Sequence, residues 1–134
     1  MYKLISIIIS IFSLLLNSNG DYKMNVIINN KKYDVVLENN NTSKEFINML
    51  PVKYKMKELN GNEKYIYLDK KIISSPSYYE TINKGDIMLF QDNCIVIFYK
   101  TFNTNYSYTK IGHIDDLDDL SSEDIEVYFE RKWR

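Results

Sequence analysis

The sequence predicts a mainly β protein with one folded domain, a closed eight-stranded antiparallel barrel with one or two short helices. Three observations lead there. Short segments that alternate apolar and polar residues recur along the chain, separated by Asn-, Asp- and Gly-containing breaks. The stretch Ile87 to Tyr99 differs in being apolar on both faces, which requires cover on both sides. Finally, eight short antiparallel strands leave aggregation-prone edges unless the sheet closes on itself.

The first twenty residues stand apart from that domain. Met1-Tyr2-Lys3 supplies a positive start, Leu4 to Leu16 is apolar except for Ser6, Ser10 and Ser13, and Ser18 and Gly20 place small residues before a cleavage point. This is the layout of a secretory signal peptide, and the apolar run is shorter than the ~20 residues a spanning helix needs. Residues 1–20 are therefore expected to be a signal peptide and 21–134 the mature, exported domain, periplasmic or secreted. No membrane span is expected after cleavage. The alternative is an uncleaved N-terminal membrane anchor.

Tyr22 to Ile28 and Tyr33 to Glu38 alternate, with Asn29-Asn30-Lys31-Lys32 between them as a hairpin signal. Thr42-Ser43-Lys44-Glu45 reads as a capping box, with Phe46, Ile47, Met49 and Leu50 on one helical face and Pro51 as the stop. That predicts one helix, about Ser43 to Leu50. Val52 to Leu59 alternates again, and its Lys53, Lys55 and Lys57 face suits an exposed edge. Asn60-Gly61-Asn62 is a turn and Lys64 to Leu68 a strand. Residues 69–84 contain Pro76, lack a sustained period and read as a loop carrying Tyr78-Tyr79. With Asp92 and Asn93 as the two central turn residues, Gln91 pairs with Cys94, Leu89 with Val96 and Ile87 with Phe98. Met88 and Phe90 then share the other face with Ile95, Ile97 and Tyr99. Tyr108 to Ile114 is a further strand. Asp115 to Asp124 is an acidic segment with room for one helical turn, and Ile125 to Glu130 is the last strand. The segment Glu130 to Arg134 reads as a solubilising basic tail.

Composition excludes some functions. Seventeen basic and 18 acidic residues give a formal net charge of −1, without the basic stripe of a nucleic-acid binder. Cys94 is the only cysteine, so no intramolecular disulfide is available, and a thiol within an apolar strand reads as a core residue. One Cys and one His cannot complete the usual zinc sets. The run Asp115, Asp116, Asp118, Asp119, Glu123, Asp124 lacks the glycine and alternation of an EF-hand loop and reads as a solvated face. No nucleophile elbow accompanies His113, so no catalytic residue is assigned. No cofactor or metal is expected.

Tyrosine is the residue type that suggests a site, at 12 positions. Tyr65 and Tyr67 share a strand face, while Tyr78, Tyr79, Phe102, Tyr106 and Tyr108 lie in or beside loops. Converging, they would form an amphipathic groove for a peptide or small ligand; dispersed, they would merely cover a barrel. The candidate ligand-binding residues are Tyr65, Tyr67, Phe102, Tyr106, Tyr108 and His113.

Three segments, LNGNEKYIYL (Leu59 to Leu68), GDIMLFQDNCIVIFYKTF (Gly85 to Phe102) and YSYTKIGHIDD (Tyr106 to Asp116), resemble the small bacterial cyclophilin-like proteins. The resemblance spans roughly residues 24–130 and rests on the order and spacing of these segments. It implies a closed eight-stranded barrel related to peptidyl-prolyl isomerases. In those enzymes an arginine beside a Phe on a central strand polarises the twisting Xaa-Pro amide. The corresponding strand here, Glu63 to Leu68, has no arginine, and Lys64 lacks the planar bidentate fork. The resemblance also implies Ile95 at the position of the pocket Phe, with Asn103 and Tyr108 near those of the pocket Trp and His. The expectation is an exported, non-catalytic barrel that binds a peptide or small ligand. The alternatives are a divergent isomerase acting on exported proteins and a structural partner module without a ligand. Oligomeric state is left open.

Overall fold

A computed structural model describes residues 23–132, so the segment read as a signal peptide lies outside the described residues. The elements are β1 (Lys23–Ile28), β2 (Lys31–Leu37), α1 (Asn41–Ile47), β3 (Val52–Leu59), β4 (Glu63–Tyr67), β5 (Ser77–Tyr78), β6 (Thr81–Ile82), β7 (Asp86–Phe90), β8 (Cys94–Phe98), β9 (Phe102–Asn103), β10 (Ser107–Ile114) and β11 (Ile125–Lys132). Eight of the strands form a ring in the order β2-β1-β11-β3-β4-β8-β7-β10, which closes where β10 pairs with β2. These are the eight strands the sequence predicts. At the closure Gly112 lies opposite Leu37. A Cβ at Gly112 would stand 2.8 Å from the Val36 carbonyl oxygen, so the seam needs a residue without one.

Local chemistry explains most of the connections. Asn29 and Asn30 both take positive φ and form a two-residue loop, so Lys31 and Lys32 belong to β2 rather than to the turn. The barrel interior is filled by alternating residues from every wall, among them Met24, Val26, Met56, Ile87, Leu89, Ile95, Ile97, Val127 and Phe129. Helix α1 covers one end, with the Phe46 ring edge-on to Phe129 at 5.3 Å between centroids. Among the described residues this is the single helix; Asp115 to Asp124 contains none.

The helix begins two residues earlier than expected. Asn40 caps it, its side-chain oxygen accepting from the Ser43 amide at 2.8 Å. Thr42 and Glu45 do not form a capping box. They hold Ile73 of the following loop instead, Thr42 Oγ1 donating to its carbonyl and Glu45 Oε1 accepting from its amide.

The hairpin of β7 and β8 is offset by one residue from the sequence reading. Gln91 takes φ +55° and joins Asp92 and Asn93 in a three-residue loop, so Phe90 lies opposite Cys94, Leu89 opposite Ile95 and Met88 opposite Val96. A one-residue slip exchanges the two faces of a strand. Ile95 and Ile97 therefore face the interior with Ile87 and Leu89, while Cys94, Val96 and Phe98 face outward with Met88 and Phe90. Both faces are covered, as their composition requires.

Three other expectations change. Strand β3 is paired on both sides, by β11 and β4, so its lysines do not guard an edge. The C-terminal strand runs on to Lys132, and Arg131 is part of the fold, donating to the Ile47 carbonyl and to Asn48 Oδ1. The long loops also carry small strands, β5 against β10 and β6 against β9.

Lys64 of β4 is a charged residue that the fold buries. Its side chain is 0% exposed and lies at the mouth of the barrel. Its ammonium donates to Glu58 Oε1 at 2.9 Å and to the carbonyls of Ser121 and Glu123 at 2.6 Å each. It also stands 4.7 Å above the Tyr99 ring, whose hydroxyl donates to the same Glu58 oxygen. Burial works to raise the Glu58 carboxyl, but hydrogen bonds from Tyr99 and Lys64 outweigh it and hold it below its ordinary value. Burial and the bond to Glu58 push the Tyr99 hydroxyl up to about 12. Lys64→Ala, which strands a buried carboxylate and two carbonyls, is expected to cost ~3–5 kcal/mol in urea unfolding. A loss below ~1 kcal/mol would show that this ion pair does not anchor the barrel mouth.

Candidate functional site

The outward face of β4, β8, β7 and β10 is not a solvated barrel surface. Met88, Cys94, Val96, Phe98 and Tyr108 are buried there with Ile82 of β6. The cover comes from the segment after β8, which returns over the wall as β9 and pairs with β6, Ile82 opposite Phe102. The fold is held by Thr81 Oγ1 donating to Asn103 Oδ1 at 2.9 Å and by the Thr104 amide donating to the Glu80 carbonyl. Between this flap and the wall lies an open cavity of about 380 Å³.

Its lining is mainly aromatic. The Tyr106 ring meets Phe90 edge-on at 5.9 Å and Phe90 meets Tyr108 at 5.6 Å; behind the lining, the buried Phe98 ring stands 5.4 Å from both Tyr108 and Phe102. Tyr65 and Tyr67 form a second edge-on pair at 5.8 Å on β4. Tyr106 and Tyr67 are 64% and 57% exposed, so the rim offers large apolar faces to a ligand. Leu59, Asn60 and Asn62 complete the end nearest the β3–β4 turn.

Five of the six sequence-derived candidates, Tyr65, Tyr67, Phe102, Tyr106 and Tyr108, therefore line one cavity. His113 is not among its lining residues. It lies five residues beyond Tyr108 on β10, roughly 16 Å at ~3.3 Å per residue. There its Nδ1 is 2.9 Å from Asp86 Oδ1, and the Lys110 ammonium is 3.7 Å from the same oxygen. Asp86, buried at the start of β7, is its partner. Tyr78 and Tyr79 also lie apart: Tyr78 pairs with Ser107 on β5, and Tyr79 lines a separate polar hollow beside Asn40 and Lys110.

Sequence reasoning missed Phe90, Cys94, Val96 and Glu63. The first three follow from the register of β7 and β8, which also turns Ile95 away from the cavity into the interior. The Cys94 thiol is pushed up to about 11 by burial and then by the nearby Glu63 charge, so it stays protonated at neutral pH. Tyr108 is raised by the same two causes, burial first.

Glu63 alternates outward with Tyr65 and Tyr67, opposite Phe98 of β8. Among the described residues lining the cavity it is the one that carries a charge. Burial, then the charge of Glu58, pushes its carboxyl up to about 6. Among the described residues, no group of three or more His, Cys, Asp or Glu is placed to hold a metal. No helix of the described residues is long and apolar enough to cross a membrane.

A closed eight-stranded antiparallel barrel, with a ligand-sized aromatic cavity on its outer wall, is the class these features define. The profile of the Cyclophilin-like family matches residues 26–130, and the chain belongs to that family. Among solved structures it is similar to the solution structure of the hypothetical protein AF2241 from Archaeoglobus fulgidus. That likeness has a TM-score of 0.56 at 16% identity and covers 87% of this chain and 98% of the other. It shows a shared fold. No curated protein matches the sequence.

The Glu63 value gives a signed prediction. Its folded-state pKa, about 6, lies above the ordinary 4.5, so ionisation opposes folding. Its favourable contribution is present below about pH 4.5 and lost as the pH rises through about 6. Glu63→Gln is expected to stabilise the protein by ~1–2 kcal/mol at neutral pH and by almost nothing near pH ~4. Thermal unfolding of both proteins across that range checks it; a constant difference would mean that the carboxyl is solvated.

Proposed function

We propose that the protein is an exported, non-catalytic binding module that holds a peptide or small ligand in the aromatic cavity of its outer wall. One observation carries the reading: Tyr65, Tyr67, Phe102, Tyr106 and Tyr108, from three separate segments, line a single cavity of about 380 Å³. That is the size and character of a site for a small organic group, apolar faces with a few polar atoms at the edge. Export rests on the pattern of residues 1–20.

A divergent peptidyl-prolyl isomerase is the second reading, favoured by the family. Against it, none of the described residues lining the cavity is an arginine. Lys64, the basic residue of β4, points the other way and is tied to Glu58. Polarising a twisting amide needs a fixed donor beside it, and none of the described lining residues is a charged donor.

Two measurements separate the readings. In a proline-isomerisation assay the mature protein is expected to give background rates. Catalysis above background that is lost in Tyr65→Ala or Tyr108→Ala would establish the isomerase. For binding, a set of short peptides and fragments is expected to shift Tyr and Phe ring resonances of the cavity. Tyr106→Ala, at an exposed rim, is expected to weaken such ligands about tenfold while costing less than ~1 kcal/mol of stability. Ligands that instead gather beside Asn40 and Lys110, or leave the rings unmoved, would contradict the groove.

A further inference from the structure

We infer that the cavity takes an organic cation, a protonated amine carried on an apolar frame, with the Glu63 carboxylate as its counter-ion and the surrounding rings as its walls. This rests on the groove reading above and names the chemistry of its occupant.

Carboxylates withdrawn from water elsewhere in the molecule are given donors. Glu58 has Lys64, Tyr99 and the Gly61 amide; Asp86 has His113, Lys110 and the Asn83 amide; Glu130 has Lys32 and Asn25. Glu63 is also withdrawn from water, yet no other described residue donates to it. The ionisable groups that act on it or feel its charge are Glu58 on β3, Cys94 on β8 and Tyr108 on β10. None of these is a cation. Asn62, beside Glu63 in the chain, is also in the lining, but its Oδ1 is itself buried, so the accessible acceptor is the Glu63 carboxylate. An open space lined by a carboxylate to which no described residue donates has room for a donor.

The remaining lining selects which donor. Tyr65, Tyr67, Phe90, Tyr106 and Tyr108 are all in the lining, and ring faces attract cations when water is excluded. A neutral apolar ligand would bury the carboxylate further with no compensation, and an anion would be repelled. A protonated amine on an aliphatic or aromatic frame satisfies the carboxylate and the rings together. A basic peptide side chain and a free amine share this chemistry.

The test uses phenethylamine against phenylethanol, and a capped Phe-Lys-Phe tripeptide against its norleucine analogue. Binding is followed by the Tyr and Phe ring resonances of the wild type and of Glu63→Gln. Near neutral pH the amine and the lysine peptide are expected to bind about tenfold or more tightly than their neutral partners. That preference is expected to vanish in Glu63→Gln, and in the wild type below about pH 5, where Glu63 is protonated. A stronger response to the tripeptide identifies a basic side chain as the source, and a stronger response to phenethylamine a free amine; either supports the inference. If charged and neutral partners move the cavity rings equally, in both proteins, the groove stands and the cation inference falls. If none of the four moves them, both readings fall. An amine preference that survives in Glu63→Gln also overturns the assignment. The pH series on the wild type needs no variant, so the result does not hang on the fold of Glu63→Gln.

Discussion

The buried contact of Lys64 with Glu58 and Tyr99 is the constraint from which the rest of the barrel mouth follows. A strand in a closed barrel sends alternate side chains in and out, so fixing one residue fixes the whole strand. With Lys64 drawn inward to Glu58, the carbonyls of Ser121 and Glu123 and the face of Tyr99, its neighbours Glu63 and Tyr65 must point out. The same knot organises the turn beside them. Glu58 Oε2 accepts from the Gly61 amide, and the Tyr99 amide donates to the Asn62 carbonyl. Gly61 takes φ +68°, a conformation that β-carbon-bearing residues rarely adopt, so the turn is set by both its sequence and its anchor. A structural ion pair inside the barrel thereby positions one end of a cavity outside it.

The other end depends on β7 and β8. Their one-residue offset, imposed by the positive φ of Gln91, delivers Phe90, Cys94, Val96 and Phe98 to the outer face. An apolar row on the outside of a barrel has to be covered, and the β6 and β9 segments cover only part of it. What remains open is the aromatic cavity. Fold and candidate site are thus two results of one register: the inward row closes the core, and the outward row, covered in its turn, supplies the floor of the cavity.

Much of this was legible in the chain, and the failures have specific causes. The eight barrel strands could be found because each alternates or is bounded by a turn residue that tolerates positive φ, such as Asn29, Asn30 and Gly61. The tyrosines could be named as candidates because large amphipathic residues cluster in and beside loops, although their convergence could not be told from a mere covering of the barrel. The register of β7 and β8 could not be read, because Cys94 to Phe98 is apolar throughout and offers no polar marker for a face. Only the loop decides it, and Gln91 is not a residue that announces a left-handed position. Lys64 was hidden for a related reason: in an alternating strand a lysine reads as solvent-facing, and its burial depends on partners up to 59 residues away. His113 was misplaced with the tyrosines because nearness in sequence along a strand becomes distance in space. That no described residue donates to Glu63 is a property of the folded molecule, with no counterpart in the sequence.

The central claim is that the register of β4, β8 and β7 turns one row of these strands into the wall of a binding cavity. Cross-strand NOEs in the protein in solution test it most directly. The account predicts contacts of Phe90 with Cys94, Met88 with Val96 and Tyr65 with Val96, together with ring contacts between Phe98 and Tyr108. Contacts of Leu89 with Val96 and Ile87 with Phe98 would contradict it, because that register turns Ile95 outward and takes Val96 from the cavity wall into the core.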